Sequence, residues 1–119
     1  MKRRLAALVP AVAAVAMAVP MTLTTAAPAV ADAPCGKTAS DIDGRAWNKT
    51  ANGANMRSGS STGCGINGVA YSSHSLDYHC FTHAGSYTWT YLRNDTTGTY
   101  GWVRDDLLSD GGSSFNCGF

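Results

Sequence analysis

The chain has 119 residues and a formal net charge of +1, with eight acidic residues, all Asp, against nine basic ones. Three of the bases precede residue 31 and all eight carboxylates follow it, so six bases face eight acids in the remainder, a net charge of −2. This length supports one small domain and leaves no room for a multilayer α/β enzyme fold. A near-neutral surface also lacks the basic stripe that neutralises phosphates, which speaks against nucleic acid and, once any signal is removed, against a membrane.

Lys2-Arg3-Arg4, an apolar run from Leu5 to Val19, and the small residues Ala29-Val30-Ala31 have the three-part layout of a cleaved secretory signal over 1–31. The run is Ala-rich, broken by prolines and shorter than the roughly 20 residues that span a bilayer core. Residues 32–53 are polar and irregular, with Ile42, Ala46 and Trp47 as the side chains worth burying, and read as an ordered N-terminal arm. After Gly53 the texture changes to short alternating runs punctuated by Gly, Ser, Asn and Asp. Five strands are predicted: Ala54 to Ser58, Cys64 to Ala70, Ser75 to Phe81, Tyr87 to Asn94 and Thr99 to Arg104. Their loops are Gly59 to Gly63, Tyr71 to His74, Thr82 to Ser86 and Asp95 to Gly98. Arg104 to Leu108 fits one 3₁₀ turn, and 109–119 is a Gly/Ser-rich tail reaching Cys117.

Only nine large aliphatic residues follow the signal, namely Ile42, Met56, Ile66, Val69, Leu76, Leu92, Val103, Leu107 and Leu108. Eleven aromatics and four cysteines must supplement so thin a core. Four cysteines in an exported chain read as two disulfides, for which three pairings exist. A hairpin turning at Tyr71-Ser72-Ser73 places Gly68 against Leu76, Ile66 against Tyr78 and Cys64 against Cys80, within reach of a cross-strand bridge. Cys35 and Cys117 are then left to each other as a clasp joining the two ends. No two cysteines stand as Cys-x-x-Cys, which argues against a zinc site.

Ala54-Asn55-Met56-Arg57-Ser58-Gly59-Ser60-Ser61-Thr62 resembles the opening motif of bacterial SH3 (SH3b) domains. Gly68, the alternating Leu76 and Tyr78, Trp89 to Leu92, and Thr99-Tyr100-Gly101-Trp102-Val103 with Leu107-Leu108 follow in the family's order. The likeness covers Ala54 to Leu108, departing at Ser60, where the family usually has Pro, and near His74, where a loop glycine is usual. It implies an all-β, five-stranded SH3-like barrel over 54–108, a non-catalytic module that binds cell-wall peptidoglycan or its cross-bridge peptides, with Asn55 and Arg57 as polar contacts.

The residues carry several candidate chemistries, and most have a plain explanation. Gly59-Ser60-Ser61-Thr62-Gly63 satisfies the nucleophile-elbow pattern but sits between short strands, not at a strand-to-helix turn of a large sheet. Asp41-x-Asp43-Gly44 resembles half a calcium loop without its closing acid. Asp77 and His79 share a strand face, opposite Leu76, Tyr78 and Cys80, so a salt bridge is expected between them. The His79–His83 step would converge only on a helix, so neither a metal nor a cofactor is expected. Paired cysteines leave no thiolate nucleophile, and no enzymatic activity is expected.

The most informative set is aromatic. Tyr87, Trp89 and Tyr91 alternate along one strand face, and Tyr100 and Trp102 along the next. If Leu92 and Val103 point inward, these five rings form either an exposed platform for glycan or peptide or a surface covered by the arm and Trp47. The expected protein is a secreted, monomeric module, extracellular or associated with the cell wall, whose ligand is peptidoglycan. The alternative is an interaction or inhibitor protein whose loops Gly59 to Gly63 and Thr82 to Ser86 hold another secreted protein. Asn48-Lys49-Thr50 and Asn94-Asp95-Thr96 fit the glycosylation sequon.

Overall fold

The computed structural model describes residues 32–47 and 52–119, so the predicted signal, residues 1–31, and the sequon Asn48-Lys49-Thr50 lie outside the described residues. Among the described residues, alternating side chains between turn-forming residues produce six strands: β1 (Ala46–Trp47), β2 (Ala54–Arg57), β3 (Ile66–Ala70), β4 (Leu76–Ala84), β5 (Tyr87–Asn94) and β6 (Thr99–Arg104). A 3₁₀ turn, Asp105–Leu107, follows. The strands form one antiparallel sheet in the order β1-β4-β5-β6-β2-β3. The protein is thus all-β with two disulfides, as expected, and β2 to β6 fall on the five predicted strands. The side chain of Trp47 lies outside the described residues.

Pairing departs from the expected hairpin at Tyr71-Ser72-Ser73. β3 pairs with β2, placing Ala70 opposite Ala54 and Gly68 opposite Met56, while β4 pairs with β5. Strand β4 runs on to Ala84, because Thr82 and His83 find partners in Trp89 and Thr88. The predicted loop Thr82 to Ser86 therefore shrinks to Gly85-Ser86, with Gly85 at φ 62°, a conformation glycine adopts without strain. A two-residue turn closes two long strands at little entropic cost, and the other edge of β4 pairs with β1 of the arm instead of with β3.

The sheet curls. Ala54 and Met56 of β2, Ala70 of β3, Leu76 and Tyr78 of β4, Leu92 of β5, Val103 of β6 and Leu108 bury one another in a single core. Near one end of β4 the alternation breaks. Tyr78 opposes Leu92, yet the next pair is Cys80 with Tyr91, so His79 is the extra residue of a β-bulge. The bulge turns Cys80 away from the face of Leu76 and Tyr78, where period-two alternation had put it.

Both predicted disulfides are corrected by this geometry. Cys64 bonds to Cys35, and Cys80 to Cys117. Cys64 lies in the β2–β3 connection and Cys80 in β4, strands that are not neighbours, so the expected cross-strand bridge has no ladder to cross. The head-to-tail clasp is replaced by two separate staples, one holding the arm and one holding the C-terminal segment against the outer face of the sheet.

Those two segments build a second core. Ala33 packs with Trp89, Tyr91 and Trp102, flanked by Ala39, Ala84 and Cys117. The arm is anchored by its backbone: Ser60 N–H donates to the Ala33 carbonyl and Gly36 N–H to that of Ser58, both at 2.8 Å. The approach is close enough that a Cβ on Gly59 would stand 2.7 Å from the Ala33 carbonyl oxygen. On the other side Phe81 N–H donates to the Phe115 carbonyl and Cys117 N–H to that of Phe81, each at 2.8 Å.

Buried polar groups lock the C-terminal segment. Asp105 accepts the hydroxyls of Thr88 and Thr90 at 2.6 Å each, and the Thr90 oxygen accepts the Ser113 N–H at 2.9 Å. Burial pushes the Asp105 carboxyl above the usual carboxylate range, against the two threonine hydroxyls, which favour the charged form. A raised folded-state value means the unfolded chain ionises first, so this group stabilises the fold most in acid and less as pH rises through that value. The destabilisation caused by Asp105→Asn is expected to be larger near pH 3.5 than at pH 7, measured by urea unfolding. A penalty that grows with pH would contradict the assignment.

Candidate functional site

The β-register sets one row of side chains across three strands: Tyr100 of β6 opposes Arg93 of β5, which opposes Asp77 of β4. Directly opposed residues share a face, and this row lies on the outer face beyond the edge of the second core. The row continues into the arm. Ile42 and Asp43 donate their backbone N–H groups to the His79 carbonyl at 3.2 and 2.9 Å, which brings Asp41 over β4. Asp43 itself is buried and committed to Arg45, whose Nε is 2.8 Å from its Oδ1, and to the Ser113 hydroxyl at 2.8 Å. The Asp41-x-Asp43-Gly44 stretch is accordingly a structural turn at Asp43 and a donor of one carboxylate at Asp41.

The bulge aims His79 into this row. Its Nε2 lies 3.7 Å from Asp77 Oδ2 and 3.8 Å from Asp41 Oδ2. Its ring meets Tyr91 and Tyr100 edge-on, at centroid distances of 5.4 and 6.0 Å. The expected pairing of His79 with Asp77 is present, with Asp41 as a second acid. Burial raises the Asp77 carboxyl above its usual range and Asp41 raises it further, while His79 acts in the opposite direction. Arg93 holds Asp95 at 2.5 Å and reaches Asp77 at 3.4 Å. Tyr100 stacks on Tyr91 at 6.2 Å and keeps 43% of its surface exposed.

The five predicted rings therefore divide. Trp89, Tyr91 and Trp102 are buried beneath the arm and the C-terminal segment, and Trp102 Nε1 donates to the Lys37 carbonyl at 2.8 Å. The exposed five-ring platform does not form, and the alternative of a covered ladder describes these three. Tyr87 is 48% exposed, with the Arg104 guanidinium 4.3 Å from its ring centroid. Tyr87 and Tyr100 are the rings of the set that meet solvent.

Of the two polar residues carried over from the family motif, Asn55 is half-buried opposite Val69. Arg57 donates from Nη1 to the carbonyls of Thr62 and Cys64, both at 3.0 Å, so its guanidinium braces the β2–β3 connection. Ser61 of the elbow-like pattern accepts the Gly63 N–H within that same connection. All four cysteines are oxidised. Asn94 of the second sequon is fully buried, its amide 2.8 Å from His74 Nδ1 and its Oδ1 accepting the Thr96 N–H at 3.1 Å, so the folded chain offers no glycan acceptor there.

Sequence reasoning passed over Arg93 and Asp95, and considered Asp41 only as half of a calcium-like loop. The alternation of Arg93 and Asp95 at the end of β5, facing Asp77 in the adjacent strand, was the available signal for two of them. Asp41 arrives from the arm by a contact that no local pattern encodes.

The fold and its two disulfides define a small, stapled, all-β domain suited to an oxidising, non-cytoplasmic compartment. Among the described residues no helix is long and apolar enough to cross a membrane. Comparison with protein-family models, with curated proteins and with solved structures finds no match for the chain.

Proposed function

We propose that the protein is an exported, non-catalytic binding module of the SH3b kind that holds cell-wall peptidoglycan through the row Tyr100, Arg93, Asp77 and Asp41. The observation carrying this reading is the row itself: one exposed ring, one guanidinium and one carboxylate in cross-strand register, with a second carboxylate brought over β4 by the arm, on a covalently stapled scaffold. A tyrosine face suits the C–H surface of a sugar ring, carboxylates accept its hydroxyls, and a guanidinium pairs with the carboxylates of lactyl groups and stem peptides. The commitment of Ser61 to its turn and of all four cysteines to disulfides further supports a binding role.

Pelleting with insoluble peptidoglycan tests the proposal. The unmodified protein is expected to leave the supernatant, and Tyr100→Ala is expected to weaken retention about tenfold with an unchanged unfolding midpoint. Retention unaffected by Tyr100→Ala and Arg93→Ala together would overturn it.

One observation favours the second reading, a protein partner. β3 is an edge strand, and Ile66 and Tyr71 beside it are 53% and 45% exposed. An edge of this kind accepts a strand from another chain, and a complex recovered from culture supernatant and lost on Ile66→Lys would support that reading.

A further inference from the structure

Three electron-rich atoms converge at the arm end of the row. Asp41 Oδ2, Asp77 Oδ2 and His79 Nε2 belong to a group whose ligand atoms all lie within 4.8 Å of one another. They are not held together by hydrogen bonds through the imidazole: 3.7 and 3.8 Å exceed the roughly 3.2 Å limit of an N–H···O contact. The other ring nitrogen explains the orientation. Nδ1 lies 3.2 Å from the Ala39 carbonyl, which can only accept, so Nδ1 donates there and Nε2 is the ring atom turned toward the two carboxylates. His79 is only 7% exposed, whereas the Asp41 side chain facing it keeps 41% of its surface exposed. Arg93 spends its shorter contact on Asp95 and touches Asp77 only at 3.4 Å.

We propose that Asp41, Asp77 and His79 form a binding site for a divalent transition-metal ion of the zinc class. The donor set is one imidazole and two carboxylates, with the imidazole oriented through a backbone carbonyl, the arrangement that fixes the ligating tautomer in metal sites. Bonds of roughly 2.0–2.2 Å to a tetrahedral ion place neighbouring ligand atoms about 3.4 Å apart, so the two histidine–carboxylate spacings need to close by only a few tenths of an ångström. The half-exposed Asp41 supplies the way in, and the remaining coordination position is left to water or to an oxygen of a ligand. Hard cations such as calcium require six or more oxygens and do not fit a set containing an imidazole.

The site joins the arm to β4. An ion there acts as a third staple between them, beside the two disulfides, and steadies the border of the row that carries Tyr100. The discounted histidine step from His79 to His83 plays no part, since His83 is exposed and away from the group. The inference rests on the ligand atoms alone and stands whether or not the protein binds cell wall.

The test uses tag-free, chelator-stripped protein titrated with Zn²⁺ by calorimetry and with Co²⁺ by visible absorption. One ion per chain is expected, with the intense absorption bands of a low-coordinate Co²⁺ site, and a thermal midpoint that rises with free Zn²⁺ as mass action requires. Asp41→Asn is expected to keep the fold, because the substitution is isosteric and that side chain is half-exposed, and to weaken binding at least tenfold and flatten the midpoint's response to Zn²⁺. His79→Gln is expected to abolish the Co²⁺ bands, while His83→Gln leaves both readouts unchanged. Binding weaker than about 1 mM, or binding that survives Asp41→Asn and disappears with His83→Gln, would overturn the proposal.

Discussion

Removing the Cys80–Cys117 bridge by replacing both cysteines with Ala is expected to lower the unfolding free energy by about 3.5–4 kcal/mol, the chain-entropy value for its sequence separation of 37. That is a large fraction of the stability of a domain this small. The C-terminal segment is held otherwise by the backbone bonds of Phe115 and Cys117 to Phe81, by Ser113 and by the Thr82 hydroxyl, which donates to the Phe119 carbonyl at 2.6 Å. Released, it uncovers one side of the second core. The Cys35–Cys64 bridge, at a separation of 29, is expected to contribute about as much, and full reduction to unfold the chain at physiological temperature. Urea unfolding followed by tryptophan fluorescence measures the loss. Peptide mapping under non-reducing conditions checks the pairing, and recovery of a Cys64–Cys80 peptide would contradict it.

Trp102→Ala is expected to destabilise by about 3–5 kcal/mol, the range for truncating a fully buried aromatic. Trp102 lies beneath Tyr91 at a centroid distance of 5.0 Å and meets Phe119 edge-on at 6.1 Å. Its indole N–H is also the partner of the Lys37 carbonyl, so truncation opens a cavity and frees a stretch of the arm together. Tyr87→Ala, in the same ladder but at the surface, is expected to change stability by less than about 1 kcal/mol. If the two substitutions had similar effects, the second core would not be a core.

The contrast between these two rings shows how far the residues alone could be read. Strand identity was legible from local pattern: alternation in Tyr87 to Asn94 and Thr99 to Arg104, with Leu92 and Val103 inward, returns β5 and β6 as they are. The 3₁₀ turn after Arg104 was legible for the same reason. Partner choice was not. The extension of β4 to Ala84 depends on the two-residue turn at Gly85-Ser86, and the absence of a β3–β4 hairpin on the arrival of β1 at the other edge of β4, which no single segment displays. The bulge at His79 was the costliest omission, because one extra residue reverses every later side chain of the strand and moved Cys80 to the other face.

The candidate row was half legible. Tyr100 belonged to the predicted ladder and His79 was paired correctly with Asp77, since both follow from alternation along single strands. The joining of Tyr100, Arg93 and Asp77 depends on register between strands, and the arrival of Asp41 on the path of the arm. The burial of Trp89 and Trp102 likewise follows from where the two terminal segments lie, which the staples decide.

The central claim is that the ligand-facing surface is the row left uncovered by those segments. A chemical-shift titration of the isotope-labelled protein with soluble muropeptide fragments tests it most directly. The account predicts perturbations centred on Tyr100, Arg93 and Asp77, with the Trp102 indole N–H resonance unmoved. Perturbations confined to Ile66 and Tyr71 at the β3 edge, or no perturbation at millimolar fragment, would contradict it.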